Sequence, residues 1–369
     1  MRRYAPPLLL LLLPPFTSCS SPSATFEVEV RDGVRHVRNL DAAWGEQSQI
    51  ELELLHTIGG SETDEEQMLY LPLDATADRE GNVYVLDTHR PAIRKYDPEG
   101  NFILDVGGEG SGPGEFRSSL CLDTDGVGDL YLSDMDNGRL SVFSPDGGFE
   151  RVILLGNFFH FFCVLSDGRI VGLDLDREVT PPRVARLLDR EGESVSTFGE
   201  GYVESEEILT FMVTRSHVES DSRDNVYVSF DHFNRIDKYS PEGTLLMSIE
   251  RPLTFEVKHE MRMSTMEVEG ELREYPNPSL TVVSGAIGVD GQDRLWVLGF
   301  TDQPEETGGA SAVVEDQTIL QFEIFDSDGV LLCRMPVPAP LSSLNIVGDR
   351  LLLIDAYTDT CVRVYRILG

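Results

Sequence analysis

Lysine is nearly missing from this chain. Only Lys95, Lys238 and Lys258 occur among 369 residues, and 64 acidic against 30 basic side chains give a formal charge of −34. So acidic a body repels nucleic-acid phosphates and anionic lipid, which excludes nucleic acid and leaves no membrane contact except through an anchor. Cysteine is also scarce, with five residues, no CxxC spacing and no accompanying histidine pattern, so neither a zinc site nor another cofactor is expected. No Gly-x-Ser-x-Gly, phosphate-binding loop or His-Glu-x-x-His occurs, so no catalytic residues are assigned and the expectation is a non-enzyme. The longest aliphatic run, Leu8 to Leu13, is far too short to span a bilayer as a helix.

What the N-terminus does contain is a leader. Arg2 and Arg3 precede the leucines, and Phe16-Thr17-Ser18-Cys19 supplies small residues for cleavage, so residues 1–18 read as a signal peptide. Cys19 directly after Thr-Ser resembles the lipobox of bacterial lipoproteins. That resemblance implies lipidation at Cys19 and a place in the bacterial cell envelope, exported and lipid-anchored, at the outer membrane on its periplasmic or surface face. Several acyl chains hold a protein where one alone binds reversibly. An ordinary secretory signal with an incidental Cys19 is the other reading. Removing residues 1–18 takes the charge to −36. Export permits disulfides; Cys333 with Cys361 is one expectation, and four buried thiols, Cys121 and Cys163 included, is the other. Residues 19–48 read as a tether and a β-hairpin turning at Asp32-Gly33, since Asp-Gly between alternating runs favours a tight hairpin.

Residues 49–369 repeat. An aromatic or apolar marker recurs at Tyr84, Tyr131, Val171, Tyr227, Trp296 and Leu352, each just after a turn such as Gly81-Asn82 or Asp224-Asn225. A second turn follows the first five markers, as in Asp97-Pro98-Glu99-Gly100 and Ser240-Pro241-Glu242-Gly243, with the proline and glycine that a type I turn prefers. Short strands at this period predict an all-β fold: a six-bladed β-propeller with four antiparallel strands per blade. The sixth unit ends on its third strand, so an N-terminal strand at 50–55 is expected to close the last blade, because a bare edge must be covered. Residues 110–116 (Gly-x-Gly-Pro-Gly-Glu-Phe), 125–134 and 139–147 resemble the NHL repeat. The whole chain is similar to bacterial six-bladed β-propeller lipoproteins, a resemblance that implies the fold and no particular activity.

In that geometry the long connections, 107–118, 199–211, 251–282 and 301–318, share one face, where binding surfaces are built. A helical stripe of Val257, Met261, Val268 and Leu272 predicts a short helix within 251–282. Asp87, Asp134, Asp231 and Asp355 end second strands; an oxygen-ligated calcium ring is one reading and turn hydrogen bonds the preferred one. His89 and His232 lie on opposite blades and share no metal. Asp74, His160 and His217 fall on first strands, near the channel, and are the candidate ligand-facing residues. A one-residue offset puts the two histidines on opposite strand faces, so no metal is assigned. The first strands offer Asp74, Ser119, His160, Thr214, Ser284 and Asn345, a mixed set with one carboxylate. The leading expectation is a monomeric, non-catalytic module binding an unknown protein, peptide or glycan at the envelope. The alternative is a divalent-cation-dependent, lactonase-like hydrolase or lyase in the channel mouth, carried by fold analogy alone.

Overall fold

An aspartate closes the turn between the first two strands of most repeats, and the marker ring reaches back to it. Asp78 accepts from the Asn82 backbone N–H at 2.9 Å, from Asn82 Nδ2 at 2.7 Å and from the Tyr84 hydroxyl at 3.1 Å. Asp290 likewise accepts from Arg294 Nε at 2.7 Å and Trp296 Nε1 at 2.9 Å. In the fourth repeat Lys238 bridges, donating to the Tyr227 hydroxyl and pairing with Asp221, both at 2.8 Å. A buried ring with one polar atom is what such a position needs. The second turns end in Gly100, Gly147, Gly192, Gly243 and Gly329, whose φ of 81° to 92° is left-handed backbone that glycine adopts without strain.

The structure, a computed structural model, describes residues 24–45, 47–60, 67–90, 92–155, 159–204, 207–268, 271–304 and 317–369. The leader and Cys19 lie outside these, as do Glu305, Glu306, Glu315 and Asp316. Among the described residues the turns generate six sheets of four or more strands in chain order. The first comprises Pro72–Ala77, Val83–Asp87, Ala92–Tyr96 and Phe102–Val106. The second and third begin at Leu122–Thr124 and Phe162–Val164. The fourth begins at Ser216–Ser220 and ends at Leu245–Glu250, and the fifth begins at Ser284–Val289. The sixth joins Ser343–Val347, Arg350–Asp355 and Cys361–Leu368 to Glu51–Gly59 from the N-terminus, paired through Ile58 with Val362.

Buried apolar clusters fill the seams between consecutive sheets. Tyr84 and Leu86 of the first meet Leu130 and Leu132 of the second. Trp296 and Phe322 of the fifth meet Leu351 and Leu353 of the sixth. Val83 and Val85 of the first meet Ile354 and Val362 of the sixth, so the last sheet packs on the first. The first strands lie side by side in the same order.

The hairpin Phe26–Arg31/Val34–Asn39 forms as expected, and its second strand also pairs in parallel with Leu245–Glu250, widening the fourth sheet to six strands. Two features depart from the sequence reading. The segment 251–282 holds no helix; it forms a long hairpin, His259–Val268 against Glu271–Leu280, with Val268 opposite Glu271. Pro276 and Pro278, which carry no N–H to continue a helix, and the ten-residue pairing of the two strands overrule the apparent stripe. A seven-residue helix instead occupies Glu207–Val213. No helix among the described residues is long and apolar enough to cross a membrane. Cys121, Cys163, Cys333 and Cys361 are all buried and unbridged, so the Cys333–Cys361 disulfide does not form: Cys333 sits in the core between the fifth and sixth sheets, while Cys361 pairs with Gly59 in the closing ladder.

Candidate functional site

The first strands surround a central cavity of about 60 Å³. Strand register decides which side chains reach it. Asp74 lies opposite Leu86, two residues beyond the marker Tyr84, and His217 lies opposite Ser229, two beyond Tyr227, so the two hold equivalent positions. Both line the cavity. In the third sheet Phe161 takes that position, its carbonyl accepting from Leu173 N–H, and its ring packs on His217 at 4.6 Å. His160, one residue earlier, is exposed rather than part of the cavity wall.

The wall also contains carboxylates that the sequence reading did not single out. Asp123 lies opposite Tyr131 and Glu219 opposite Tyr227, and with Asp74 and Asn345 they face the cavity. Each stands two residues before the aspartate that closes the first turn, Asp125 or Asp221; that offset was the available signal. Ser119, Thr214 and Ser284 are buried away from the cavity lining. Asp74 accepts from its own neighbour Ala75 N–H at 2.9 Å and from Leu122 N–H of the second sheet at 2.8 Å. Asp123 accepts from Thr124 N–H at 2.7 Å and from Val164 N–H of the third sheet at 2.6 Å. Burial nonetheless pushes Asp74 up to about 7, because two amide dipoles do not replace lost hydration. Asp123 and Glu219 move upward as well, by burial first and then by the negative charge of their neighbours.

The aspartates that end second strands are held individually. Asp87 accepts from the N–H groups of Tyr70 and Leu71, and Asp134 from Arg117 N–H and Asn137 while pairing with Arg139 at 2.9 Å. Asp355 accepts within its own turn from Thr358 N–H at 2.8 Å. Asp231 lies 3.2 Å from His217 Nε2 and 3.6 Å from Arg215. Burial would raise the Asp231 carboxyl, but the adjoining His217 imidazole and the Arg215 guanidinium outweigh it and hold it below the usual range. Among the described residues no group of three or more His, Cys, Asp or Glu side chains is arranged to hold a metal ion.

On the side of the molecule where second strands end, the long hairpin stands on a fixed base. His259 Nε2–H donates to the His232 carbonyl at 2.7 Å, and His232 Nδ1–H donates to the Thr281 carbonyl at 2.9 Å. Lys258 N–H donates to the Thr281 hydroxyl at 2.9 Å, and Gln303 exchanges two hydrogen bonds with the Val282 backbone. Beyond this base the strands project outward. Met263 is 60% exposed and Leu272 76%, with Tyr275 also open to solvent.

No family model and no curated protein matches the chain. Solved structures do resemble it at low identity. A member of the DUF4221 family from Bacteroides vulgatus is 11% identical, with a TM-score of 0.56 over 88% of this chain and 100% of the other. A Bacteroides fragilis protein named as exported is 11% identical, with a TM-score of 0.55 over 88% of this chain and 98% of the other. Virginiamycin B lyase from Staphylococcus aureus is 11% identical, with a TM-score of 0.49 over 87% of this chain and 100% of the other. The likenesses above 0.5 show the fold, an all-β propeller type.

Proposed function

We propose that the six sheets are the blades of a propeller closed by Glu51–Gly59, and that the protein is an exported, lipid-anchored module of the bacterial envelope. It works as a monomer that binds a protein, peptide or glycan through its long-loop face and performs no chemistry. The observation that carries this reading is the projecting hairpin. A fixed base of side-chain and backbone bonds presents Met263, Leu272 and Tyr275 together on one hairpin, whereas other exposed apolar side chains such as Val127 and Leu154 sit on separate elements of a strongly acidic chain. Exposed apolar groups on a rigid support cost solubility unless a partner covers them. Met263 adds an adaptable thioether suited to irregular surfaces.

Replacing Met263 and Leu272 together by glutamate should abolish capture of envelope components by the immobilised protein, at least tenfold, and leave the melting temperature within about 2 °C. Binding that survives this double change would sink the hairpin as the working surface. The anchor has its own readout. Cys19→Ser should move the mature protein from the membrane fraction to the soluble one.

The alternative, a cation-dependent hydrolase or lyase in the channel, does find Asp74, Asp123, Glu219 and Asn345 around one cavity. Yet both oxygens of Asp74 and of Asp123 are spent on backbone N–H groups, so these carboxyls serve the seams between sheets before any substrate.

A further inference from the structure

We infer that Asp74, Asp123 and Glu219 form a proton-binding centre at the axis, holding the first strands together while protonated and loosening them when it ionises. The geometry is a small cavity, about 60 Å³, ringed by first strands of all six sheets and open to solvent at its mouth, with the three carboxyl residues half-buried in its wall. A volume of that order has room for no more than a few waters. Asp74 ties the first sheet to the second through Leu122, and Asp123 ties the second to the third through Val164. Glu219 enters from the fourth, bonded to Ser220 N–H at 2.8 Å.

Among the described residues no lysine or arginine lines the cavity, and the one basic side chain in its wall, His217, is engaged by Asp231. The first sheet presents Asp74 alone, and the second adds Cys121 next to Asp74, with Asp125 close to Asp123. The third presents Phe161 and Phe162, with the Cys163 thiol near Glu219 and Asp123. The fourth adds His217, which lies against Asp231, whose second oxygen faces Arg215. The fifth and sixth contribute Ala286, Ile287, Leu344 and Asn345, none of them charged. Burial and mutual repulsion therefore favour the neutral acids, and Asp74 releases its proton only near 7.

The sign follows from linkage. A carboxyl raised in the folded state stabilises fully below its ordinary unfolded range, near 4, and that stabilisation is lost as pH climbs to the folded value. Each such group steepens the rise of the unfolding constant by about tenfold per pH unit across that window. Ionisation above it places several negative charges around one small void, which draws water between the first strands.

The test is urea unfolding of the full chain at pH 5.5, 7 and 8.5, with infrared detection of un-ionised carboxyl groups over the same range. Wild type should retain a protonated-carboxyl band at pH 6 that disappears by pH 9. Glu219→Gln and Asp74→Asn should each remove part of the band and flatten the stability profile by about tenfold per pH unit. Their difference from wild type cancels the general effect of net charge. Should Asp74→Asn fail to fold, Glu219→Gln and the wild-type band still decide the matter. A wild-type chain without that band at pH 6, or a Glu219→Gln profile parallel to wild type, overturns the inference.

Discussion

Replacing Arg251 by alanine is expected to destabilise the protein by about 3–5 kcal/mol, enough to unfold many domains of ordinary stability. Arg251 directly follows the strand Leu245–Glu250 of the fourth sheet and enters the seam with the fifth, where its side chain is 0% exposed and that of Glu323 4%. The guanidinium meets Glu323 at 3.0 Å and donates to the Ser284 hydroxyl at 2.9 Å. Its backbone is clamped in turn by Asn234, which accepts from Arg251 N–H at 3.0 Å and donates to its carbonyl at 2.7 Å. Removing the cation leaves a buried carboxylate with Arg334 Nε at 3.6 Å and the Gln321 amide at 3.4 Å, too little to replace water. An uncompensated charge, not the loss of one attraction, produces the large number. The companion experiment is therefore the double change Arg251→Met with Glu323→Leu, which removes both charges and should recover most of the loss in chemical denaturation. A single Arg251→Ala that melts like wild type would show the pair to be ornamental.

Removing residues 1–60 should have the other large effect. A chain lacking only residues 1–23 is expected to fold and melt in one transition, whereas one lacking residues 1–60 should show no cooperative melt and should aggregate. The difference is Glu51–Gly59, which supplies the fourth strand of the sixth sheet and covers the edge of Cys361–Leu368. Without it a row of unpaired N–H and carbonyl groups lies open. The apolar seam between the sixth and first sheets also loses Ile58, which is 2% exposed. Circular dichroism melts and light scattering on the two truncated chains check this, and identical melts would remove the closing strand from any structural role.

The repeats, their turns and the need for a closing strand were legible because they are local: an Asp or Gly at a fixed offset from an apolar run reports on its own backbone. The partner of the N-terminal hairpin was not legible. Val37 finds Ile249 across a distance of 212 residues, and nothing in either strand names the other. The segment after Arg251 misled because a strand carrying Met261 and Met263 can be laid on a helical wheel, and only the prolines of the return strand disqualify it. The cavity carboxylates were missed because one residue was taken from each first strand. Side chains on a strand alternate, so Glu219, two residues beyond His217, shares its face, and Asp123 lies further along its strand than Ser119. Counting back two from Asp125 and Asp221 would have found them.

The route of the N-terminal segment decides which part of the body would feel a pull on the chain ahead of it. From the outermost strand of the fourth sheet, Phe26–Arg31, the chain crosses the fifth, where Ala43 and Trp44 donate to the carbonyls of Leu331 and Leu332, and ends inside the sixth. Residue 24 therefore departs from the outer edge of the fourth sheet. A pull applied there would peel the ribbon Phe26–Arg31/Val34–Asn39 away first, while the bonds of Ala43 and Trp44 to the fifth sheet and the ladder of Glu51–Gly59 with the sixth would share what load remained.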